Sequence, residues 1–237
     1  MLVAARRGEE AVARLTEAIR KLESILPPSH ALLAKARLNR ARALAYSGDT
    51  AAAYAELDAI EGFFGAEDPP MHRWLTARGA VARLAGDYPR ARSLQQAALA
   101  AVPEKAGSDR MRILPLVEMG LASLELSDST EAEKALERAL ELLPHPGPPR
   151  ADALVGLGRL YLARGDPARA LPLLEEADAY WRDLAPWNRW AGEASHWLGR
   201  SLQELGRPGD ARKALSRAAR ILSRSPLPAD ERILAHR

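Results

Sequence analysis

The chain has 237 residues, with 47 Ala and 37 Leu against two Phe, no Cys, and a formal net charge of +3 from 34 basic and 31 acidic side chains. That alphabet forms helices and excludes a sheet-rich fold, and the missing thiols exclude disulfides, thiolate metal sites and cysteine nucleophiles. No apolar run reaches the ~18 residues of a membrane span, and the N-terminus turns charged too early for a signal peptide, so a cytoplasmic protein without membrane contact is expected.

Read from the N-terminus, GEEAVARLTEAI gives residues 1–25 the look of a second helix lacking its first-helix partner. Five stretches of one turn-then-helix grammar follow: SGDTAAAYAEL, AGDYPRARSL, LSDSTEAEKAL, RGDPARALPLL and LGRPGDARKAL. They place five units at about 29–63, 69–101, 107–144, 148–182 and 187–224, and PLPADERILAHR starts a further helix over 228–237. The junctions between units hold the breakers, among them GAEDPP and PHPGPP. A chain that begins and ends on half-units is expected to be a piece of a longer polypeptide, because an unpartnered terminal helix exposes an apolar face that repeat stacks normally cap. Those uncovered end helices also offer a route to self-association.

Each turn carries a small residue, Gly48, Gly86, Ser127, Gly165 and Gly206. Seven residues earlier stands another: Ala41, Gly79, Gly120, Gly158 and Gly199. Alanine is common here, but glycine is 16 of 237, so four glycines at one register position mark a constraint. The constraint is two helices crossing so closely that only a hydrogen or methyl fits. On the second helix an i, i+4, i+7 stripe follows, as in Ala53, Leu57 and Ile60 or Ala132, Leu136 and Ala139.

These residues resemble the tetratricopeptide repeat family, whose first helix carries a small crossing residue and whose second carries alanine, a large apolar residue and alanine. The unit from Ile113 to Pro144 fits at Gly120, Ala132, Leu136, Ala139 and Pro144. The next adds Leu154, Leu157 and Tyr161, and the fifth keeps Gly199, Gly206, Ala211, Leu215 and Ala218. Two units depart from the pattern. Gln95 stands where a large apolar residue belongs, with Leu94 as its neighbouring substitute, and Arg37 and Arg40 fall at nominally buried places, which calls for a one-residue slip in that helix. The repeats also average about 40 residues instead of the family's 34, close to HEAT and armadillo periods, but those families lack this grammar. The resemblance implies an all-α fold, an α-α superhelix or solenoid of antiparallel helix pairs, in one repeat domain.

No catalytic constellation emerges. The histidines are scattered without HExxH spacing, and the glycines follow the repeat, not a phosphate-binding run. An enzyme, a cofactor and a metal are not expected. The acidic and basic residues alternate along the chain, which disfavours a phosphate track, so nucleic acid is not expected either.

By the resemblance, first helices line a concave surface that binds a peptide or partner protein, and the inward positions carry Lys35, Asn39, Arg42, Tyr46, Arg73, Arg83, Leu121, Arg159, His196, Trp197 and Arg200. This mixed wall suits a peptide with an acidic end and apolar anchors, or is simply the solvated face of an Arg-rich protein. Four of the five tryptophans, Trp181, Trp187, Trp190 and Trp197, crowd one stretch. They read either as fillers of a wide junction or as a partner hot spot. The long period resembles tetratricopeptide regions attached to bacterial kinases and transcription regulators. Two functions follow: an interaction scaffold within a larger signalling or regulatory protein, or a helical sensor that takes a small ligand between units.

If the glycines mark close crossings, Gly158→Leu overpacks one, and urea unfolding should register a loss of roughly 1–3 kcal/mol.

Overall fold

The computed structural model describes residues 3–64 and 70–223. Among them run eleven α-helices: α1 (Val3–Glu23), α2 (Ala31–Tyr46), α3 (Thr50–Ile60), α4 (Met71–Leu84), α5 (Tyr88–Ala100), α6 (Asp109–Glu125), α7 (Ser129–Glu141), α8 (Pro148–Ala163), α9 (Pro167–Leu184), α10 (Arg189–Glu204) and α11 (Pro208–Leu222). A short 3-10 turn, Glu61–Phe63, follows α3. The further helix expected over 228–237 lies outside the described residues. The chain divides into two compact units, one of residues 5–122 and one of the remaining residues, and the division falls inside α6.

All five tight turns solve the same problem in the same way. A helix ends with unpaired carbonyls and the next begins with unpaired amides. At each turn the small residue takes a left-handed conformation, with φ of 93° at Gly48, 83° at Gly86, 60° at Ser127, 74° at Gly165 and 71° at Gly206. That backbone lets the following N–H reach back to the preceding helix, as in Asp49 N to Leu44 O, Asp87 N to Ala82 O and Asp166 N to Tyr161 O. The same residue then caps the next helix: the carboxylates of Asp49, Asp87, Asp128 and Asp166 accept from the amides of Ala52, Arg90, Glu131 and Arg169. At the fifth turn Arg207 replaces the aspartate and makes no side-chain cap.

In the unit of residues 5–122, α2 packs on α3 and α4 on α5, with α4 also against α2 and α3. Its core joins Ala34, Leu38, Ala41, Ala45, Ala53, Leu57, Ile60, Trp74, Ala77 and Val81, and the Trp74 indole donates to Leu57 O at 2.9 Å. The one-residue slip expected for α2 is not needed. Ala41 keeps the buried position at 0% exposure, while Arg40 reaches Glu56 at 2.6 Å and Arg37 reaches Glu23 at 2.6 Å from half-buried sites. Gln95 was expected to cede its place to Leu94. Instead it is fully buried, because its Nε2 donates to Thr76 O at 3.1 Å and Gly79 leaves the room it occupies, a Cβ there colliding with that nitrogen.

In the other unit, α8 packs on α9 and α10 on α11, with α7 against α8 and α10 against α8 and α9. The glycine crossings are explicit. A Cβ on Gly158 would sit 2.5 Å from Leu174 Cγ, and one on Gly199 would sit 2.6 Å from Leu215 Cγ. Both partners lie sixteen residues downstream, as Gln95 does from Gly79. Ala170, Leu174 and Ala177 are each 0% exposed, the stripe on α9 that the periodicity marks.

Ser127 is the turn residue that pays a left-handed penalty, since a side chain disfavours φ of 60°. Ser127→Gly should raise the unfolding free energy by about 0.5–1 kcal/mol, read by thermal or urea denaturation.

Candidate binding surface of the first helices

The candidate residues come from α2, α4, α6, α8 and α10, and the structure sorts them. In the first unit, Lys35, Asn39, Arg42 and Tyr46 recur at i, i+4, i+7 and i+11 on α2, with Asn39 exposed and the other three half-buried. Arg73 is exposed near the start of α4, and Leu121 is half-buried on α6. Arg42 and Arg73 make no ion pair among the described residues. Arg83 differs: its guanidinium spans from α4 to α6 and donates to both oxygens of Glu118, at 2.7 and 3.4 Å. Beside Arg73, His72 is buried, and desolvation, then the Arg73 charge, lower its pKa.

In the second unit the same motif returns. Arg159 of α8 donates to Glu125 at the end of α6 at 2.6 Å, and its guanidinium carbon lies 5.1 Å from the centre of the Trp197 ring on α10. Trp197 in turn meets the edge of His196 at 5.1 Å. His196, expected on the binding face, is only 4% exposed, so it backs Trp197 from within the packed layer. Arg200 sits 3.6 Å from Glu204 on its own helix. The charge of the six basic candidates is therefore partly neutralised in place: Arg83 and Arg159 already hold glutamates of a neighbouring first helix.

The tryptophans differ in burial. Trp181 is buried and stacked on Trp190, with centroids 5.7 Å apart and planes at 20°. Tyr180 packs edge-on against it at 5.1 Å. Trp181 and Trp190 fill the α9–α10 junction, whereas Trp187 remains 38% exposed under Arg220.

One cluster gave no sequence signal. Asp178 of α9 is 3% exposed, yet its carboxylate accepts from the Ser195 hydroxyl of α10 at 2.6 Å and from Arg217 Nη2 of α11 at 2.6 and 2.7 Å. Arg217 Nε closes the triangle on Ser195 Oγ at 2.8 Å. The partners lie 17 and 39 residues away, so a single sequence shows three unrelated polar residues and not their meeting.

This is the geometry of a helical-repeat protein. Residues 117–183 match the family described as tetratricopeptide repeat, and the fold is that of tetratricopeptide-repeat proteins. The chain is similar to BtubC (BKLC) from P. vanneervenii, with 19% identity, TM-score 0.65, and 94% of this chain covered against 92% of that one. It is similar to the Cut9–Hcn1 hetero-tetramer of the APC/C, with 15% identity and TM-score 0.71 over 92% of this chain but 38% of that one. A putative kinesin light chain from Podospora anserina with nearly identical tetratricopeptide-like repeats gives 20% identity and TM-score 0.58, covering 81% and 96%. No curated protein sequence matches the chain.

Because Asp178→Ala removes both carboxylate bonds of a partly exposed Arg217 and leaves only its bond to Ser195, it should destabilise by about 1–3 kcal/mol in urea unfolding. Replacing both with leucine should cost less than the single change, a difference that a double-mutant cycle measures.

Proposed function

We propose that this chain is a non-enzymatic interaction scaffold that binds a peptide or partner protein on its first-helix faces, within a larger signalling or regulatory protein. The observation that carries the reading is the strip Glu125, Arg159 and Trp197, where a partly exposed indole is held in place by a guanidinium that a carboxylate in turn orients. A pre-oriented tryptophan beside an arginine is the composition of a binding hot spot, because little side-chain entropy remains to be lost when a partner docks. On the other unit, Asn39, Arg42 and Arg73 provide hydrogen-bond donors and cations suited to a carboxylate. The Cut9–Hcn1 structure is itself a hetero-tetramer, which accords with such a role.

Selecting random peptides displayed on phage against the immobilised full chain tests the proposal. Enriched peptides should carry acidic and aromatic residues, and Arg42→Glu should weaken their binding about tenfold or more at unchanged melting temperature. Peptides that bind a triple Arg42→Glu, Arg159→Ala, Trp197→Ala variant as tightly as the wild-type chain would remove the first-helix faces as the site.

A further inference from the structure

The helix α9 has 18 residues where α3, α5 and α7 have 11, 13 and 13. Its surplus is its last turn, Tyr180 to Leu184, and that turn is anchored: Trp181 points inward onto Trp190, and Ala185 N donates to Trp181 O at 2.9 Å. With the indole fixed inside, Tyr180, Asp183 and Leu184 stand on the outer side beside the start of α8, which Pro148 and Pro149 set rigidly. Between the two helices lies a groove of about 520 Å³. Its floor is Ala151, Leu154 and Ala179.

Two of the charged residues that line this groove satisfy each other. Arg150 donates to both oxygens of Glu176, at 2.6 and 3.3 Å, and to Leu143 O at 2.8 Å. The remaining charged residue of the lining is acidic. The Asp183 side chain is 81% exposed, and its nearest cation, Arg182 at 3.9 Å, is shared with Asp178 at 3.5 Å. The Asp152 carboxylate lies close enough to add to the upward pKa shift that burial gives Tyr180. Leu184, 58% exposed, follows Asp183 in the lining, and Trp187, 38% exposed, lies three residues beyond it.

We infer that the α8–α9 groove is a second docking surface, separate from the first-helix faces, and that its occupant is a partner segment with large apolar side chains followed by lysine or arginine. The apolar floor takes the leading side chains and Leu184 covers them. The basic residue meets Asp183, the lining charge left over once Arg150 and Glu176 have paired. Side-chain volume fits as well: the groove holds two or three leucine-sized groups, and its open side admits the continuing backbone.

Fluorescence anisotropy tests this with two fluorescein-labelled nonapeptides, one bearing two leucines then two lysines, the other with glutamates in place of the lysines. The full chain should bind the lysine peptide saturably and about tenfold more tightly than the glutamate peptide. Asp183→Lys should abolish or invert that preference, and Leu184→Asp should weaken binding of the lysine peptide by about tenfold. Both positions are exposed, so melting temperature should hold. Trp197→Ala should leave the lysine peptide unaffected, so this surface and the first-helix faces stand or fall separately. Absence of saturable binding, equal affinity for both peptides, or affinities untouched by both groove variants would overturn the inference. So would wild-type chain that sediments as a dimer and becomes monomeric on Leu184→Asp, since a second copy would then be the occupant.

Discussion

The structure depends on one repeated act of the backbone: a chain that has just ended a helix must begin another, antiparallel to it, within about four residues. A left-handed residue makes this feasible by turning the next amide back onto the helix it leaves. An aspartate at that next position then hands its carboxylate forward to the helix it opens. One residue thus serves the C-terminus of the first helix through its N–H and the N-terminus of the second through its side chain. With both ends satisfied locally, the apolar stripes meet without burying unpaired amides or carbonyls. The Gly–Leu crossings of α8 on α9 and of α10 on α11 are possible only because this turn fixes where the two helices come together.

Much of this was legible because it is local and periodic. The small residues at turn and crossing, and the alanine stripe five residues on, each follow from main-chain geometry or close contact, and each recurs at a fixed register. Where a unit broke the pattern, rules about residue type misled. Arg37 and Arg40 look too polar for a packed face, yet long side chains can bury their stems and carry their charges to Glu23 and Glu56 at the edge. Gln95 looks like a defect, yet a main-chain carbonyl and a missing Cβ across from it make it fit.

The surface was harder to read, for a physical reason. Which cations face a partner depends on which have already found an anion, and the relevant anions lie a repeat away: Arg83 to Glu118, Arg159 to Glu125, Arg217 to Asp178. Counting arginines along the inward positions therefore overstated the basic character of the wall. The tryptophan cluster shows the same limit. Nothing in the run from Trp181 to Trp197 tells which rings stack inside and which remain at the surface, because that is decided by the length of α9 and by where its final turn is pinned.

Gly79 and Gln95 carry a consequence for how such a chain can change. Elsewhere the slot opposite the crossing glycine is filled by leucine, held by shape alone, whereas here it is filled by an amide hooked to the carbonyl of Thr76. Both features that seat Gln95 belong to the backbone of α4, a main-chain carbonyl and a missing Cβ, so a chimaera can pair α5 with any first helix that keeps a glycine at the crossing.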